Sequence, residues 1–356
     1  MTADLQLAER IRELARSVGF ARVGFAKAEP LEEDAARYRE WLDQGHHGSM
    51  EYLARNVEVR VDPTHPEMVG GARSVIVLAA PYGAAAPHQH DPGRIARYAQ
   101  SRDYHSILYT RVRNITRLLR EQGHRARASV DTLPILERAW AARAGVGFIG
   151  KNCLLIVPGL GSYVLLAVVV TSAELPPDAP IRERCGQCRL CLDACPTRAF
   201  VAPRVLDARK CIAYLTIEHE GPIEPELRPQ IGDWLFGCDA CQDVCPFNRS
   251  AAAAPDPALW PTSRLEEIAA EELLQIGEQD FESMLTRSPL RRPGRAGLAR
   301  NAAIVLGNAR DKRALPILQR SAATDPSDVV KDASKWAIDA IASDDDRITS
   351  AHIDKK

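Results

Sequence analysis

Eight of the nine cysteines in this chain lie within one 61-residue segment, residues 185–245. The first run, Cys185 to Pro196, has the spacing C-x2-C-x2-C-x3-C-P, and the second, Cys238 to Pro246, has the spacing C-x2-C-x3-C-P. Runs of closely spaced cysteines that end in a cysteine–proline pair are typical of chains that hold two [4Fe–4S] clusters. The sequence therefore indicates electron transfer before any other function.

The two runs are expected to share their ligands, because the cysteine before proline in each run binds the cluster of the other run. The first cluster is then predicted to bind Cys185, Cys188, Cys191 and Cys245. The second is predicted to bind Cys195, Cys238, Cys241 and Cys211. Cys211 completes this set because Leu235 stands where the usual pattern has a cysteine.

Other interpretations of the cysteines are weaker. Zinc ribbons use paired C-x2-C motifs without the triplet and the following proline. A disulfide framework suits a small secreted chain, whereas this one has 356 residues and no recognisable signal peptide. Cys153, outside the two runs, precedes the apolar residues 154–157 and is expected to be a buried structural thiol.

The overall composition excludes few functions. A hydrophobic content of 46%, a charged content of 26% and a net charge of −1 are ordinary for a globular protein, so any basic surface must be local. The apolar stretch at 163–170 is too short to span a membrane. Reduced thiols and clusters suit the cytoplasm, which we expect to be the compartment.

Helical and strand patterns alternate in the first part of the chain and predict an α/β domain over residues 1–175. Helices are predicted at 4–18, 32–54 (broken at 45–48), 104–122 and 134–143. Strands are predicted at 21–26, 74–80, before Asp131, and at 153–157 and 163–170, the last two joined by a hairpin-like turn. The polar segment 83–93 is expected to be a functional loop.

The rest of the chain divides into two predicted parts. Residues 174–180 are expected to be a linker into a two-cluster ferredoxin-like domain over 176–250, and residues 250–261 mark a second boundary. Residues 251–356 are predicted to hold a linker and helices at 300–307, 314–319 and 329–341. This pattern is typical of a short HEAT-like repeat, although a simple helical cap on the cluster domain is an alternative.

A basic segment follows the cysteine runs. Between Leu285 and Arg320, eight arginines and Lys312 are accompanied by one acid, Asp311. Such a density of positive charge indicates a surface that binds the phosphates of a nucleic acid, with a solvated helix face as the alternative. The predicted phosphate contacts are Arg287, Arg291, Arg292, Arg295 and Arg300.

Three further segments carry candidate chemistry. Asp131 follows a predicted strand, and the residues alone favour a helix N-cap there over a catalytic carboxylate. His105, which begins a helix in the segment Asp103–His105, is on its own most often structural. The segment Gly145–Asn152 superficially resembles a phosphate-binding loop, but Asn152 replaces the required hydroxyl residue, so we exclude an NTPase.

Together, several motifs resemble the epoxyqueuosine reductase family. They are Arg102–His105, Val130–Thr132, Gly147–Asn152, Gly161–Ser162, the two cysteine runs, Cys211–Glu218 and the basic stretch to Asn301. The resemblance covers about residues 19–340. It implies an oxidoreductase that reduces epoxyqueuosine at the wobble position of tRNA to queuosine, with base-off cobalamin reduced to cob(I)alamin by electrons from the two [4Fe–4S] clusters.

The resemblance also implies an architecture. It is a multidomain chain of mixed α+β and α/β class: a nitroreductase-like cobalamin-binding domain related to reductive dehalogenases, a ferredoxin-like domain and a HEAT-like helical module. The implied partners are tRNA and a low-potential electron donor that the sequence does not identify. No membrane partner is expected, and the chain is expected to be a monomer.

Residue roles follow from the same resemblance. Asp131 becomes the proton donor to the opened epoxide, which reverses the N-cap interpretation. Its pKa would have to be raised, and burial against the corrin would supply the shift. Tyr104 and His105 would lie at the substrate pocket. The cobalamin contacts implied are Arg60, Asp131, Leu155, Leu166, Ala213, Cys238 and Asp239. Ala96 stands where some relatives have a cysteine over the cobalt, so no thiolate is available there.

Two other functions remain open on sequence grounds. A reductive dehalogenase-like corrinoid enzyme could act on a small molecule, although such a substrate needs no basic helical module. A non-catalytic electron carrier with two clusters is also conceivable, but the N-terminal domain is larger than a carrier requires.

Overall fold

A computed structural model describes residues 3–82, 93–249, 256–262 and 268–353. Residues 83–92 of the predicted loop at 83–93 and half of the boundary at 250–261 lie outside these residues. The helices are α1 Ala3–Ser17, α2 Glu32–Asp43, α3 Glu51–Ala54, α4 Val57–Val61, α5 Tyr104–Glu121, α6 Glu137–Arg143, α7 Leu190–Asp193, α8 Ile212–Ile217, α9 Arg228–Ile231, α10 Ala240–Asp243, α11 Pro246–Arg249, α12 Ala270–Gln275, α13 Glu278–Met284, α14 Gly294–Ala309, α15 Leu315–Thr324 and α16 Asp328–Ile353. The strands are β1 Arg22–Lys27, β2 Ser74–Pro81, β3 Arg94–Ile95, β4 Ala126–Ser129, β5 Phe148–Ile149, β6 Leu155–Ile156, β7 Val164–Thr171, β8 Phe200–Ala202, β9 Val205–Leu206 and β10 Trp234–Phe236.

The central sheet has the strand order β1-β2-β7-β4, and every neighbouring pair is antiparallel. Every residue of β2 is buried, and its successive side chains point to opposite faces. Ile76 and Leu78 pack in a core with α1 and α5. Val75 and Val77 pack in a second core with α6. The α/β prediction is therefore wrong for this sheet: helices cover both faces, but antiparallel pairing makes the domain α+β.

The predicted hairpin between 153–157 and 163–170 is also wrong. Strand β6 pairs with β5 instead, and β7 lies between β2 and β4. A single bridge between Val157 and Gly161 is what remains of the hairpin. The reason is burial: the apolar side chains of β7 serve both cores of the central sheet, as those of β2 do.

A third core joins the cysteine-bearing segment to the C-terminal helices. It contains Ile212 and Phe236 together with Leu298 and Ile304 of α14. Strand β10 pairs with β3, so Ile95 and Ala99 of the N-terminal part also belong to this core. The predicted linker is firmly attached as well, because the Asp178 carboxylate accepts hydrogen bonds from the Phe25 amide (2.9 Å) and from Arg12 (2.8 Å). Residues on the two sides of each predicted boundary, at 176 and at 251, therefore share contacts or a hydrophobic core.

The three helices predicted after residue 296 are confirmed as α14, α15 and α16. Helix α14 is buried along most of its length and packs against α16, which also packs against α15. Within the described part of the chain, no helix is both long enough and apolar enough to cross a membrane.

Candidate active site and cysteine loops

Asp131 lies in a short loop between β4 and α6. Its backbone has a φ of 54°, in the left-handed region that residues other than glycine rarely adopt. The amide of Asp131 donates a hydrogen bond to Oε1 of Glu137 (2.9 Å), and the Ser129 hydroxyl donates to the same oxygen (3.2 Å). Helix α6 begins at Glu137, without a side-chain cap. The N-cap interpretation of Asp131 is therefore wrong. Instead, the Glu137 carboxylate fixes the Asp131 backbone by accepting its amide hydrogen bond.

Tyr104 and His105 both lie beside the Asp131 carboxylate. The Tyr104 hydroxyl donates to Oδ2 of Asp131 (3.2 Å), and Nε2 of His105 is 3.9 Å from the same oxygen. The two aromatic rings are stacked, with centroids 4.1 Å apart. Asp103 caps α5, because its carboxylate accepts from the His105 amide (3.0 Å), and it also contacts Nδ1 of His105 (2.7 Å). The predicted substrate-pocket residues thus surround the predicted acid.

These contacts shift several pKa values, among them those of His105 and Glu137. Burial lowers the pKa of His105, but the hydrogen bonds to Asp103 and Asp131 outweigh it and raise the pKa to about 9. Burial, followed by the charge of Asp131, raises the pKa of Glu137 to about 7. The Asp131 side chain itself is 71% exposed, so the burial that its predicted role needs must come from a bound molecule.

Tyr98 forms the floor of this site. Its ring meets the Tyr104 ring edge-on, with centroids 6.1 Å apart, and lies 6.2 Å from the Phe236 ring. Beneath it, the Asp239 carboxylate is buried and accepts a hydrogen bond from the Arg97 amide (2.8 Å). Burial in particular raises the pKa of Asp239 to about 6. The floor therefore connects Asp131 to the loop that follows Cys238.

The other predicted cobalamin contacts are spread over several elements. Leu155 is buried, and Leu166 is partly buried against the same core. Ala213 lies on α8, partly exposed, two residues after Cys211. Arg60, on α4, donates to the Tyr52 carbonyl (3.1 Å), while its Nε is buried without a partner among the described atoms. A buried donor without a partner is costly, so Arg60 suits a ligand that carries hydrogen-bond acceptors.

The thiols of the two runs influence one another's pKa values. Among the causes that raise the pKa of the Cys191 thiol, burial comes first, followed by the neighbouring thiols Cys185, Cys245 and Cys188. For Cys238, burial comes first again, raising the pKa to about 12, and Cys211 and Cys195 add to it. Burial raises the pKa of Cys241 as well, and Cys211 and Cys238 add to it, as does Cys191 of the other predicted set. The crossed sets stay a prediction, and none of the nine cysteines forms a disulfide.

A cluster distributes its ligands differently from a single ion. Among the described residues, no three His, Cys, Asp or Glu side chains converge closely enough to hold one metal ion. Each thiolate of a four-iron cube binds a different iron atom, so the ligands of a cube are spaced more widely.

The segment Gly147–Asn152 has a structural role that the sequence analysis missed. Nζ of Lys151 donates to the carbonyls of Gly186 (2.6 Å) and Cys188 (2.9 Å). The Asn152 amide reaches the Cys241 carbonyl (3.5 Å). This segment thus connects the N-terminal domain to both cysteine runs. The sequence feature that could have indicated this role is the Gly-Lys-Asn end of the segment, which does not match a phosphate-binding loop.

Two of the five predicted phosphate contacts are buried, and for them the prediction is wrong. Arg300 has 0% exposure and donates to the carbonyls of Leu215 (2.7 Å), His219 (2.7 Å) and Gly221 (2.6 Å). Arg295 is buried in a two-bond pair with Asp325 (2.8 and 3.0 Å). Each guanidinium is occupied by protein acceptors, so neither can reach a phosphate.

The other three arginines are exposed. Arg292 forms two hydrogen bonds with Glu218 (2.9 and 3.1 Å) and lies over the Tyr52 ring, 5.6 Å from its centroid. Arg291 pairs with Glu282. The Arg287 carbonyl accepts from the Asp103 amide (2.8 Å), which places Arg287 beside the start of α5.

Cys153 is partly buried, and its pKa is raised to about 11, chiefly by burial. A thiol with so high a pKa is unreactive near neutral pH, in agreement with the structural role expected for it.

Comparison with known proteins identifies relatives over nearly the whole chain. Residues 184–248 match the family model described as a 4Fe-4S double cluster binding domain, and residues 60–132 match the model described as epoxyqueuosine reductase QueG, DUF1730. The chain is 40% identical over 344 residues to the epoxyqueuosine reductase of Pseudomonas aeruginosa, covering 94% of each protein. It is 37% identical over 312 residues to that of Escherichia coli K12, covering 85% of this chain and 82% of the relative.

Solved structures agree. A crystal structure of epoxyqueuosine reductase with a tRNA-Tyr epoxyqueuosine-modified tRNA stem loop superposes with a TM-score of 0.87 at 33% identity, covering 94% of this chain and 90% of the other. A structure of the Bacillus subtilis enzyme, with its catalytic aspartate loop swung out of the active site, gives the same TM-score, identity and coverage.

Proposed function

This chain belongs to the epoxyqueuosine reductase family and is an oxidoreductase, and from that premise we propose that it reduces epoxyqueuosine at the wobble position of tRNA to queuosine. The observation that carries the proposal is 40% identity over 94% of the chain to an epoxyqueuosine reductase. Identity of this extent favours the tRNA-modifying reaction over the alternatives, a corrinoid reductase of a small molecule and a plain electron carrier.

Two [4Fe–4S] clusters follow from the double-cluster domain matched at 184–248. We propose the crossed ligand sets: Cys185, Cys188, Cys191 and Cys245 for one cluster, and Cys195, Cys211, Cys238 and Cys241 for the other. Support comes from the mutual influence of the thiols within each set. The second set lies nearer the candidate site, because Asp239, beside Cys238, contacts Arg97 below Tyr98. Electrons would therefore enter at the first cluster, from a low-potential donor that is still unidentified.

Base-off cobalamin is the proposed cofactor of the N-terminal domain, held by Arg60, Leu155, Leu166, Ala213, Cys238 and Asp239. Two features of the chain suit it. The buried Nε of Arg60 lacks a partner among the described atoms, and a corrin carries amide acceptors around its edge. The exposed Asp131 carboxylate would be covered by a ligand placed above Tyr98. Bound there, cobalamin would supply a strongly reducing metal centre for opening the epoxide.

Asp131 is the proposed proton donor to the epoxide oxygen. The Tyr104 hydroxyl orients its Oδ2, and His105 lies 3.9 Å from that oxygen. Because the pKa of His105 is raised to about 9, the imidazole carries a proton at neutral pH. His105 is therefore placed to return a proton to Asp131 after each turnover, while Asp103 keeps its ring in position.

The exposed arginines near this site are the proposed contacts of the tRNA. Arg292 lies close enough to Asp131 for the carboxylate to influence its pKa, and Arg287 lies at the start of α5. Arg291 and Arg292 pair with carboxylates that a phosphate could replace. We also propose that the N-terminal domain is nitroreductase-like, that α14–α16 form a HEAT-like module, and that the enzyme acts as a monomer.

Anaerobic reconstitution tests this function. The chain, loaded with iron, sulfide and cobalamin and supplied with a low-potential reductant, is incubated with tRNA that carries epoxyqueuosine or with a halogenated aromatic compound. We expect queuosine in the digested tRNA and no dehalogenation. Dehalogenation with unchanged tRNA would favour the small-molecule alternative instead.

A further inference from the structure

A basic groove lies between α5 and the end of β4, outside the site described above. It has a volume of about 870 Å³ and is lined by polar and charged side chains. The lining includes Tyr109, Arg113, Arg117, Arg120, Arg127 and Leu133. The groove combines residues of α5, which the sequence shows to be basic, with residues of an edge strand of the central sheet.

The positive charge of this groove is not neutralised by protein carboxylates. Among the described residues, none of its four arginines forms an ion pair, and Glu121 is the one acid in its lining. Arg117 donates to the Asn114 side chain (2.8 Å), Arg120 to the Ala126 carbonyl (2.9 Å) and Arg127 to the Glu67 carbonyl (2.7 Å). These neutral acceptors orient the guanidinium groups without cancelling their charge. The C-terminal basic segment differs, since Arg291, Arg292 and Arg295 all pair with acids.

The groove leads to the candidate acid. Its lining includes Thr132 and Leu133, which directly follow Asp131 in the chain. Tyr109, 47% exposed, stands one helical turn after His105 on α5. A polymer whose reactive unit occupied the Asp131 site could therefore continue into the groove without leaving the protein surface.

We propose that this groove binds the sugar–phosphate backbone of the tRNA strand next to the modified nucleotide. The inference rests on the proposed function and adds a second contact surface to it. Arginine suits the task because its planar guanidinium matches phosphate geometry. Tyr109 offers a ring on which an unpaired base can stack. A small-molecule substrate would leave the groove without a purpose.

Binding of tRNA to the full chain at several salt concentrations tests the proposal. The probe is an epoxyqueuosine-modified tRNA, measured by fluorescence anisotropy with wild type, with Arg113→Glu/Arg117→Glu, and with Tyr109→Ala. Arg10→Glu/Arg16→Glu is the control, because it makes the same charge change on exposed positions of α1, outside the groove lining. Circular dichroism checks that each variant is folded.

The groove pair is expected to weaken binding on the order of tenfold at low salt and to flatten the slope of log K against log salt by about one for each phosphate that the variant no longer binds. The control should bind like wild type. Equal affinity and slope for groove variant, control and wild type would overturn the proposal, and the arginines would then serve to protect the edge strand β4 from pairing. A wild type that fails to convert the tRNA at all would overturn the proposed function, which separates the two failures.

Discussion

The backbone amide of Asp131 donates a hydrogen bond to Oε1 of Glu137 at 2.9 Å. This contact fixes a non-glycine residue in the left-handed region, with a φ of 54°. Such a conformation costs on the order of 1–3 kcal/mol and persists only where its surroundings hold it. Glu137 is therefore a positioning residue for the proposed acid, although it does not touch the Asp131 carboxylate in any described contact.

Replacing Glu137 tests this role. Glu137→Ala removes the acceptor, and since a hydrogen bond to a charged group contributes roughly 1.5–3 kcal/mol, we expect turnover to fall by about 10- to 100-fold at a pH above the Glu137 pKa of about 7, where the carboxylate is charged. Glu137→Gln keeps an oxygen acceptor and should restore most of the rate. Binding of tRNA is the control measurement, and it should stay near wild type in both variants. Equal rates for the alanine and wild-type enzymes would show that the loop needs no such support.

The pH dependence of turnover tests the state of His105. Its pKa in the folded chain is about 9, above the ordinary value of 6.5. The charged form, and the stability that it contributes, are thus fully present below 6.5 and are lost as pH rises through about 9. We expect turnover to decline on the alkaline side as His105 loses its proton.

Asp103→Asn sharpens the same test. Asparagine still caps a helix N-terminus, so α5 should remain intact, while the loss of the negative charge lowers the pKa of His105. The alkaline decline should move to lower pH by about one unit. Titration of the imidazole by nitrogen NMR measures the shift directly, and an unmoved profile would remove His105 from the proton supply.

Arg300 should matter for stability rather than for direct tRNA contact. Burial lowers its pKa to about 10, and its donors satisfy three carbonyls of the segment after Cys211. Each buried carbonyl left without its donor costs about 1–3 kcal/mol, so Arg300→Ala should lower the free energy of unfolding by about 3 kcal/mol or more. Exposed Arg287→Ala should change it by less than about 0.5 kcal/mol. Urea unfolding of the two variants decides between a stabilising role and a tRNA-contacting role for Arg300. Similar unfolding midpoints would contradict the stabilising role.

Lys151 should affect one cluster more than the other. Lys151→Met removes the donors to the Gly186 and Cys188 carbonyls, which hold the loop of the first cysteine set. We expect lower iron content after reconstitution, with the loss confined to one of two paramagnetic signals. Lys151→Arg, which keeps a cationic donor, is the matched control. Full iron content in the methionine variant would mean that the loop needs no support from the N-terminal domain.

Some of these features could be read from the sequence because they depend on spacing alone. The intervals between cysteines predicted two [4Fe–4S] clusters, in agreement with the double-cluster domain matched at residues 184–248, whereas the ligand sets, including Cys211 in place of Leu235, stay a prediction. Apolar periodicity predicted β2, α5 and the C-terminal helices, because burial of one face imposes that period. Asp131 entered through a family resemblance, and the structure then placed Tyr104 and His105 around it.

Other features depend on contacts that spacing does not encode. The density of positive charge predicted that Arg300 lies on the surface. Its neighbours Leu298, Ala302 and Ala303 are apolar and buried, however, and Arg300 is buried with them. Glu137 acts on a backbone amide six residues earlier, through a turn whose conformation no local pattern predicts. The order of strands in the central sheet, with β7 between β2 and β4, depends on the whole fold.

The central claim is tested most directly by one anaerobic assay of the wild type and Asp131→Asn, each loaded with clusters and cobalamin to the same measured content. Epoxyqueuosine-modified tRNA is incubated with reductant and each protein. The tRNA is then digested, and its nucleosides are identified by mass spectrometry. We predict queuosine from the wild type and unchanged epoxyqueuosine from Asp131→Asn. Unchanged epoxyqueuosine from a fully loaded wild type would contradict the proposed reaction, and queuosine at equal rates from both proteins would contradict the role of Asp131.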